Sequence, residues 1–142
     1  MHANNLKSIV GSFMVVAHFS AMALVLFLGK DYLTYDQCLD IILILAPLFS
    51  AFTLAVVSDF IRHRHVIAKG KKVNKRFIFI ALFIPLIYTI SLFTLILAWP
   101  FEWINDITRF RRSISVCETV IGGAVGLIMG TLFDFRKFNE RS

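Results

Sequence analysis

Four stretches of the chain, residues 9–28, 41–58, 77–99 and 114–133, are almost uninterrupted runs of apolar side chains, and none contains Lys or Arg. At 20, 18, 23 and 20 residues they match the length that a helix needs to cross hydrocarbon about 30 Å thick with every backbone amide satisfied internally. Membrane strands would instead be segments of about ten residues with alternating polarity, and runs such as IILILAPLF do not alternate. The pattern predicts an all-α, four-transmembrane-helix bundle forming a single polytopic domain over residues 1–142. Ala21-Met22-Ala23 resembles a signal-peptide cleavage site, but the apolar run continues through Leu28, so the first stretch reads as a retained span. The connections, residues 29–40, 59–76 and 100–113, leave no room for a soluble domain. In the last of them Trp103, Ile104, Ile107 and Phe110 recur at helical spacing, with Glu102, Asn105, Asp106, Arg109 and Arg112 elsewhere. That segment either lies flat on the membrane surface or extends the fourth span at its N-terminal end.

Composition sharpens the same picture. Of 142 residues, 58% are hydrophobic and 17% charged, against about 45–50% and about 25% in soluble domains. A chain this short cannot hide a mean hydropathy of +0.76 within one small core, so the excess is expected to face lipid. Charge then sets direction. The segment 62–76 carries Arg62, Arg64, Lys69, Lys71, Lys72, Lys75 and Arg76, and Lys7, Arg136, Lys137 and Arg141 fall on the same side. Only Lys30, Arg109, Arg111 and Arg112 fall on the other. The positive-inside rule places the richer side, with both termini, in the cytoplasm. Trp99, Trp103, Tyr32 and Tyr35 then share the outer interface of a cell inner membrane, where amphipathic rings anchor spans.

Candidate chemistry lies in the few polar residues within the spans. His18, Ser50 and Tyr88, with Thr89 beside it, fall near the centres of their stretches. A buried imidazole needs partners, so His18 is expected to face the bundle and bond to Ser50, Tyr88 or a backbone carbonyl. It serves there either as a satisfied neutral packing residue or as a proton sensor, relay or pore-lining group. Glu118 lies four residues past Ile114, roughly 6 Å inside the outer boundary, with His18 roughly 9 Å deeper. On that ruler Glu118 either pairs with Arg111 or Arg112 or lines an outer vestibule, and no direct contact with His18 is expected. Pro47 and Pro85 each remove a backbone donor within a span and are expected to kink it.

Gly122, Gly126 and Gly130, with Gly123 adjacent, form a small-residue groove through which another helix, from the same chain or a second copy, can approach closely. The seven cations of residues 62–76 suit topogenic charge or a docking patch for a cytoplasmic protein or lipid, but lack the interleaved aromatics of a nucleic-acid platform. Cys38 and Cys117 fall at the outer ends of their spans, either as a disulfide between spans two and four or as two packed free thiols. His63 and His65 sit beside Arg62 and Arg64, which disfavours a bound dication, so no metal is expected, and no cofactor-binding motif occurs. No catalytic signature of a soluble-type enzyme occurs either. The leading expectation is a non-enzymatic inner-membrane subunit that homo-oligomerises and recruits or signals to a cytoplasmic partner through its basic inner face, as a sensor, anchor or immunity and anti-phage defence device. The alternative is a homo-oligomeric pore or small proton-coupled transporter that uses His18 and Glu118.

Overall fold

The computed structural model describes residues 3–63 and 74–134, and all regular structure among them is helical. The helices are α1 (Ala3–Tyr32), α2 (Tyr35–His63), α3 (Lys75–Ala98), α4 (Ile107–Cys117) and α5 (Gly123–Asp134). A five-residue π-helical turn, Glu118–Gly122, joins α4 to α5 into one continuous rod. Four rods are long and apolar enough to cross a membrane: Asn5–Tyr32, Tyr35–Ser58, Lys75–Ala98 and Ile107–Leu132.

Local sequence sets the ends. Only Leu33 and Thr34 separate α1 from α2. Thr34 closes a reciprocal capping box, in which its Oγ1 accepts from Gln37 N–H at 3.4 Å and its own N–H donates to Gln37 Oε1 at 3.0 Å. Gly29 makes this tight turn feasible, because a Cβ at that position would overlap Cys38 Sγ. Asn74 caps α3 through Arg76 N–H, and Asp106 caps α4 through Thr108 N–H. After α3 the chain reverses in a Schellman motif. Trp103 N–H donates to Ala98 O, Glu102 N–H donates to Trp99 O, and Glu102 takes the left-handed φ of 57° that usually belongs to glycine. Both short turns lie at one end of the molecule, joined by Trp99 Nε1–H donating to Tyr32 O at 3.1 Å. At the same end Arg111 of α4 bonds Asp40 of α2 at 2.5 Å.

In the bundle, α1 packs on α2, α3 and α5, and the α4–α5 rod packs on α2 and α3, while the described residues of α2 and α3 do not meet. Those two helices are therefore diagonal. The buried stripes explain the packing: Leu6, Val10, Met14, Ala17, Ala21 and Val25 on α1, and Ala81, Pro85, Tyr88, Leu92 and Ile96 on α3, each recur every three or four residues. The outer surface is apolar as well, with Phe19, Phe27, Leu43, Leu54, Phe79 and Leu127 exposed. At most 33% of the most apolar stretch of any rod is covered by the rest of the bundle. Such a surface suits hydrocarbon rather than water.

One expectation about chain course is resolved. Residues 107–113 extend the fourth rod rather than lying across its end. The rod begins seven residues before the sequence-based boundary at Ile114 because its first turns expose Arg109 and Arg112, turn Arg111 to Asp40 of α2 and bury Phe110 and Ile114, a pattern that hydropathy alone reads as a loop. Helices α2 and α3 run without interruption through Pro47 and Pro85.

Candidate functional site

The earlier start of the fourth rod changes the depth of Glu118. It lies eleven residues from Ile107, roughly 16 Å along the helix, close to the middle of the rod. His18 is at the middle of α1 and Tyr88 near the middle of α3. The sequence-based ruler, which separated Glu118 from His18 by roughly 9 Å in depth, is corrected by the same displacement.

The three side chains meet. Tyr88 Oη lies 2.7 Å from His18 Nε2 and also bonds Glu118 Oε1. His18 Nδ1 is 3.0 Å from Met14 O, one turn earlier on α1. A carbonyl only accepts, so Nδ1 carries a hydrogen and donates it. The result is an unbroken hydrogen-bonded chain, Met14 carbonyl to His18 to Tyr88 to Glu118, that links α1, α3 and the α4–α5 rod. His18 and Tyr88 are fully enclosed and Glu118 is 6% exposed. The imidazole stacks on the Tyr88 ring at a centroid distance of 5.3 Å, and the Phe52 ring of α2 meets it edge-on at 5.3 Å.

The π turn aims the acid. Before it, the buried stripe of the rod runs through Phe110, Ile114 and Cys117; after it, through Glu118, Gly122, Val125, Met129 and Leu132. With about 3.6 residues per turn the second stripe is one residue out of phase with the first. The wider π turn absorbs that residue, so both Cys117 and Glu118 point inward. Such insertions are frequent at functional sites. Glu118 Oε2 is buried and without a hydrogen-bond partner, as is Thr53 Oγ1.

The other sequence candidates are distributed as follows. Ser50 is on the exposed face of α2, so it is not the partner of His18. The α2 stripe of Cys38, Ile41, Leu45 and Phe52 puts Phe52 there instead, and that spacing is readable from the sequence. Glu118 does not pair with Arg111, which bonds Asp40. Thr89 Oγ1–H donates to Pro85 O at 2.9 Å within α3. Gly122 is buried against Leu48 of α2, where a Cβ would overlap Leu48 Cδ2, whereas Gly123, Gly126 and Gly130 have open space beyond their Cα atoms. Cys38 and Cys117 are free and buried. Lys75 and Arg76 are exposed at the head of α3. Arg64, Lys69, Lys71 and Lys72 lie outside the described residues, as does the side chain of Arg62. Among the described residues no group of three or more His, Cys, Asp or Glu side chains is placed to hold a metal ion.

Comparison with protein-family models, curated proteins and solved structures finds no match to this chain. The chemistry therefore has to be read from the His18–Tyr88–Glu118 chain itself. Three groups that exchange protons, in van der Waals enclosure and in direct hydrogen-bonded series, can hold and pass a proton.

Proposed function

We propose that the protein is a non-enzymatic, multi-pass protein of the cell inner membrane that couples to protons through His18, Tyr88 and Glu118, as a pore or small proton-coupled transporter working as a homo-oligomer. The observation that carries this reading is the meeting of an imidazole, a phenol and a carboxyl at mid-length of three separate rods. Magnitudes weigh against a purely adhesive role. Interhelical hydrogen bonds in membrane proteins average about 0.6 kcal/mol, with a maximum of about 1.7 kcal/mol. An ionisable side chain at the centre of a span costs about 2.5–3.5 kcal/mol even on the mildest scale. At that average two such bonds supply about 1.2 kcal/mol, less than half the cost of the acid, and three apolar side chains would hold the helices together at lower cost. Self-association is supported by the open faces of Gly126 and Gly130, which the chain's own helices leave free for another backbone. In this reading both termini and residues 62–76 face the cytoplasm.

The test is proton flux into liposomes loaded with a pH-sensitive dye. The native protein collapses an imposed pH gradient, and Glu118→Gln and His18→Ala each abolish that collapse. Flux that survives both substitutions removes the proposal. A second reading, recruitment of a cytoplasmic partner, is favoured by the exposed Lys75 and Arg76 at the head of α3. It predicts that reversing charge at Lys71, Lys72 and Lys75 ends partner binding while flux continues.

A further inference from the structure

We infer that the buried chain is a binding site for one proton, shared between Glu118 and His18 through Tyr88, and that its occupancy decides whether α1 is bonded to α3. This deepens the proton-coupled reading above and rests on it. The inference comes from counting hydrogens. His18 Nδ1–H is committed to the Met14 carbonyl, which leaves Nε2 to face Tyr88 Oη, while the same oxygen bonds Glu118 Oε1. Tyr88 has one O–H. If Nε2 and Oε1 are both bare acceptors, that hydrogen can satisfy only one, and the other contact sets two lone pairs against each other at hydrogen-bond distance. Both contacts close only when one more proton is present.

That proton has two resting arrangements. In the neutral one, Glu118 Oε1–H donates to Tyr88 Oη and the Tyr88 O–H donates to His18 Nε2. In the ionic one, His18 Nε2–H donates to Tyr88 Oη and the Tyr88 O–H donates to the Glu118 carboxylate. Conversion moves the carboxyl proton to the phenol oxygen as the phenol proton moves to Nε2. Two O–H or N–H bonds break, two form, no proton is gained or lost, and one unit of charge crosses the site. Release to water of the single shared proton leaves neutral imidazole, phenol and carboxylate. A hydrogen bond to a charged acceptor is roughly twice as strong as a neutral one, so the phenol then stays with Glu118 and the His18 contact opens.

The surroundings leave the site alone with this proton. On α2 it is faced by the Phe52 ring, and the π turn next to Glu118 packs on Leu48. On the fourth rod the adjacent titratable group is the buried thiol of Cys117, and Arg111, about 10 Å along the rod, is bonded to Asp40. On α1 and α3 the cations Lys7, Lys75 and Arg76 sit near the opposite ends of the rods from the short turns, roughly 16 Å or more along their helices. Among the described residues α5 contributes no charged side chain to the site.

The experiment is a pH titration of the purified full chain in nanodiscs, read by infrared difference spectroscopy of the carboxyl and by ¹⁵N NMR of the imidazole. The expected result is one proton released per chain in a single step, with the Glu118 signal and the His18 Nε2 resonance changing together and Nε2 ending as an unbonded lone pair. Tyr88→Phe splits this into two unlinked transitions, and Glu118→Gln, which retains shape, removes the coupled release. Separate transitions in the native chain, or release of two protons, overturn the inference while leaving the flux result standing. A single coupled release in a protein that carries no flux upholds this inference and overturns the transport reading instead.

Discussion

Tyr88 supplies both contacts of the buried chain from a single hydroxyl, so the phenol oxygen is the atom whose removal separates a proton path from simple packing. Tyr88→Phe keeps the ring that stacks on His18 and deletes only that oxygen. It leaves the imidazole and the carboxyl each short of a partner in an enclosed site, a loss of about 1–3 kcal/mol. The expected outcome is a lower unfolding midpoint in detergent together with complete loss of proton flux. Wild-type flux in a correctly folded variant would show that the proton does not pass through the phenol. Glu102 offers a second residue-scale test far from the site. Its φ of 57° sets a side chain in a conformation that suits glycine, so Glu102→Gly is expected to raise stability by about 1 kcal/mol with flux unchanged, measured by the same melt. At this scale the sequence named His18 as a group needing a partner and Tyr88 among the candidates for it, because an imidazole in an apolar run has to find one. The acid escaped that reading because its depth was measured from Ile114, seven residues after the rod begins at Ile107.

At the scale of elements, the four rods were legible because hydropathy reports what lipid will accept. The start of α4 was not, since three arginines interleaved with the apolar stripe of Phe110 and Ile114 lower its hydropathy. The π turn was invisible for a related reason: both stripes of the rod have helical spacing, and the one-residue slip between them has meaning only once the facing helices are known. Deleting the exposed residue Val120 tests what that turn does. With one residue fewer, Phe110, Ile114 and Cys117 come into phase with the later stripe on an ordinary α-helix, at about 100° per residue. The rod is expected to keep its packing and the protein its helix content by circular dichroism. Glu118 turns away from Tyr88, and flux is lost. A parallel contrast separates the glycines. Gly122→Leu overlaps Leu48 and destabilises the single chain by about 1–3 kcal/mol. A Cβ at Gly126 meets nothing among the described residues, so Gly126→Leu is expected to leave the fold intact while breaking a detergent-stable oligomer into single copies, read by light scattering on a sizing column. An unchanged size would place any self-contact elsewhere.

For the whole molecule, the two short turns and the single long connection sort its charges. The turn end holds Lys30, Arg109, Arg111 and Arg112 among the acids Asp31, Asp36, Asp40, Glu102 and Asp106. The opposite end holds Lys7, Lys75 and Arg76 among the described residues. Residues 64–74 join two helices whose described Cα atoms nowhere come within 8 Å of each other; the hydropathy profile, which records spans but not their neighbours, gave no sign of that diagonal placement. Its length leaves room for the seven cations of residues 62–76 that the proposed orientation rests on. Lys and Arg near the ends of spans resist transfer across the bilayer, whereas acids contribute little, so the asymmetry of cations and not the net charge of either end sets direction. A reporter active only in the cytoplasm and fused at Lys72 is therefore expected to be active, and one fused at Trp103 silent. Neutralising Lys69, Lys71, Lys72 and Lys75 while adding three lysines to the turn at Leu33 and Thr34 shrinks the difference between the ends. That change is expected to convert a measurable fraction of chains to the opposite orientation, seen as activity of both reporters in one population. The His18–Tyr88–Glu118 site lies at mid-length of its rods, so an inverted chain retains the site and, in the proposed transport reading, reverses only the face from which a proton enters it. If the Lys72 reporter is silent and the Trp103 reporter active in the native protein, the assigned direction is wrong even though the bundle and its buried chain stand.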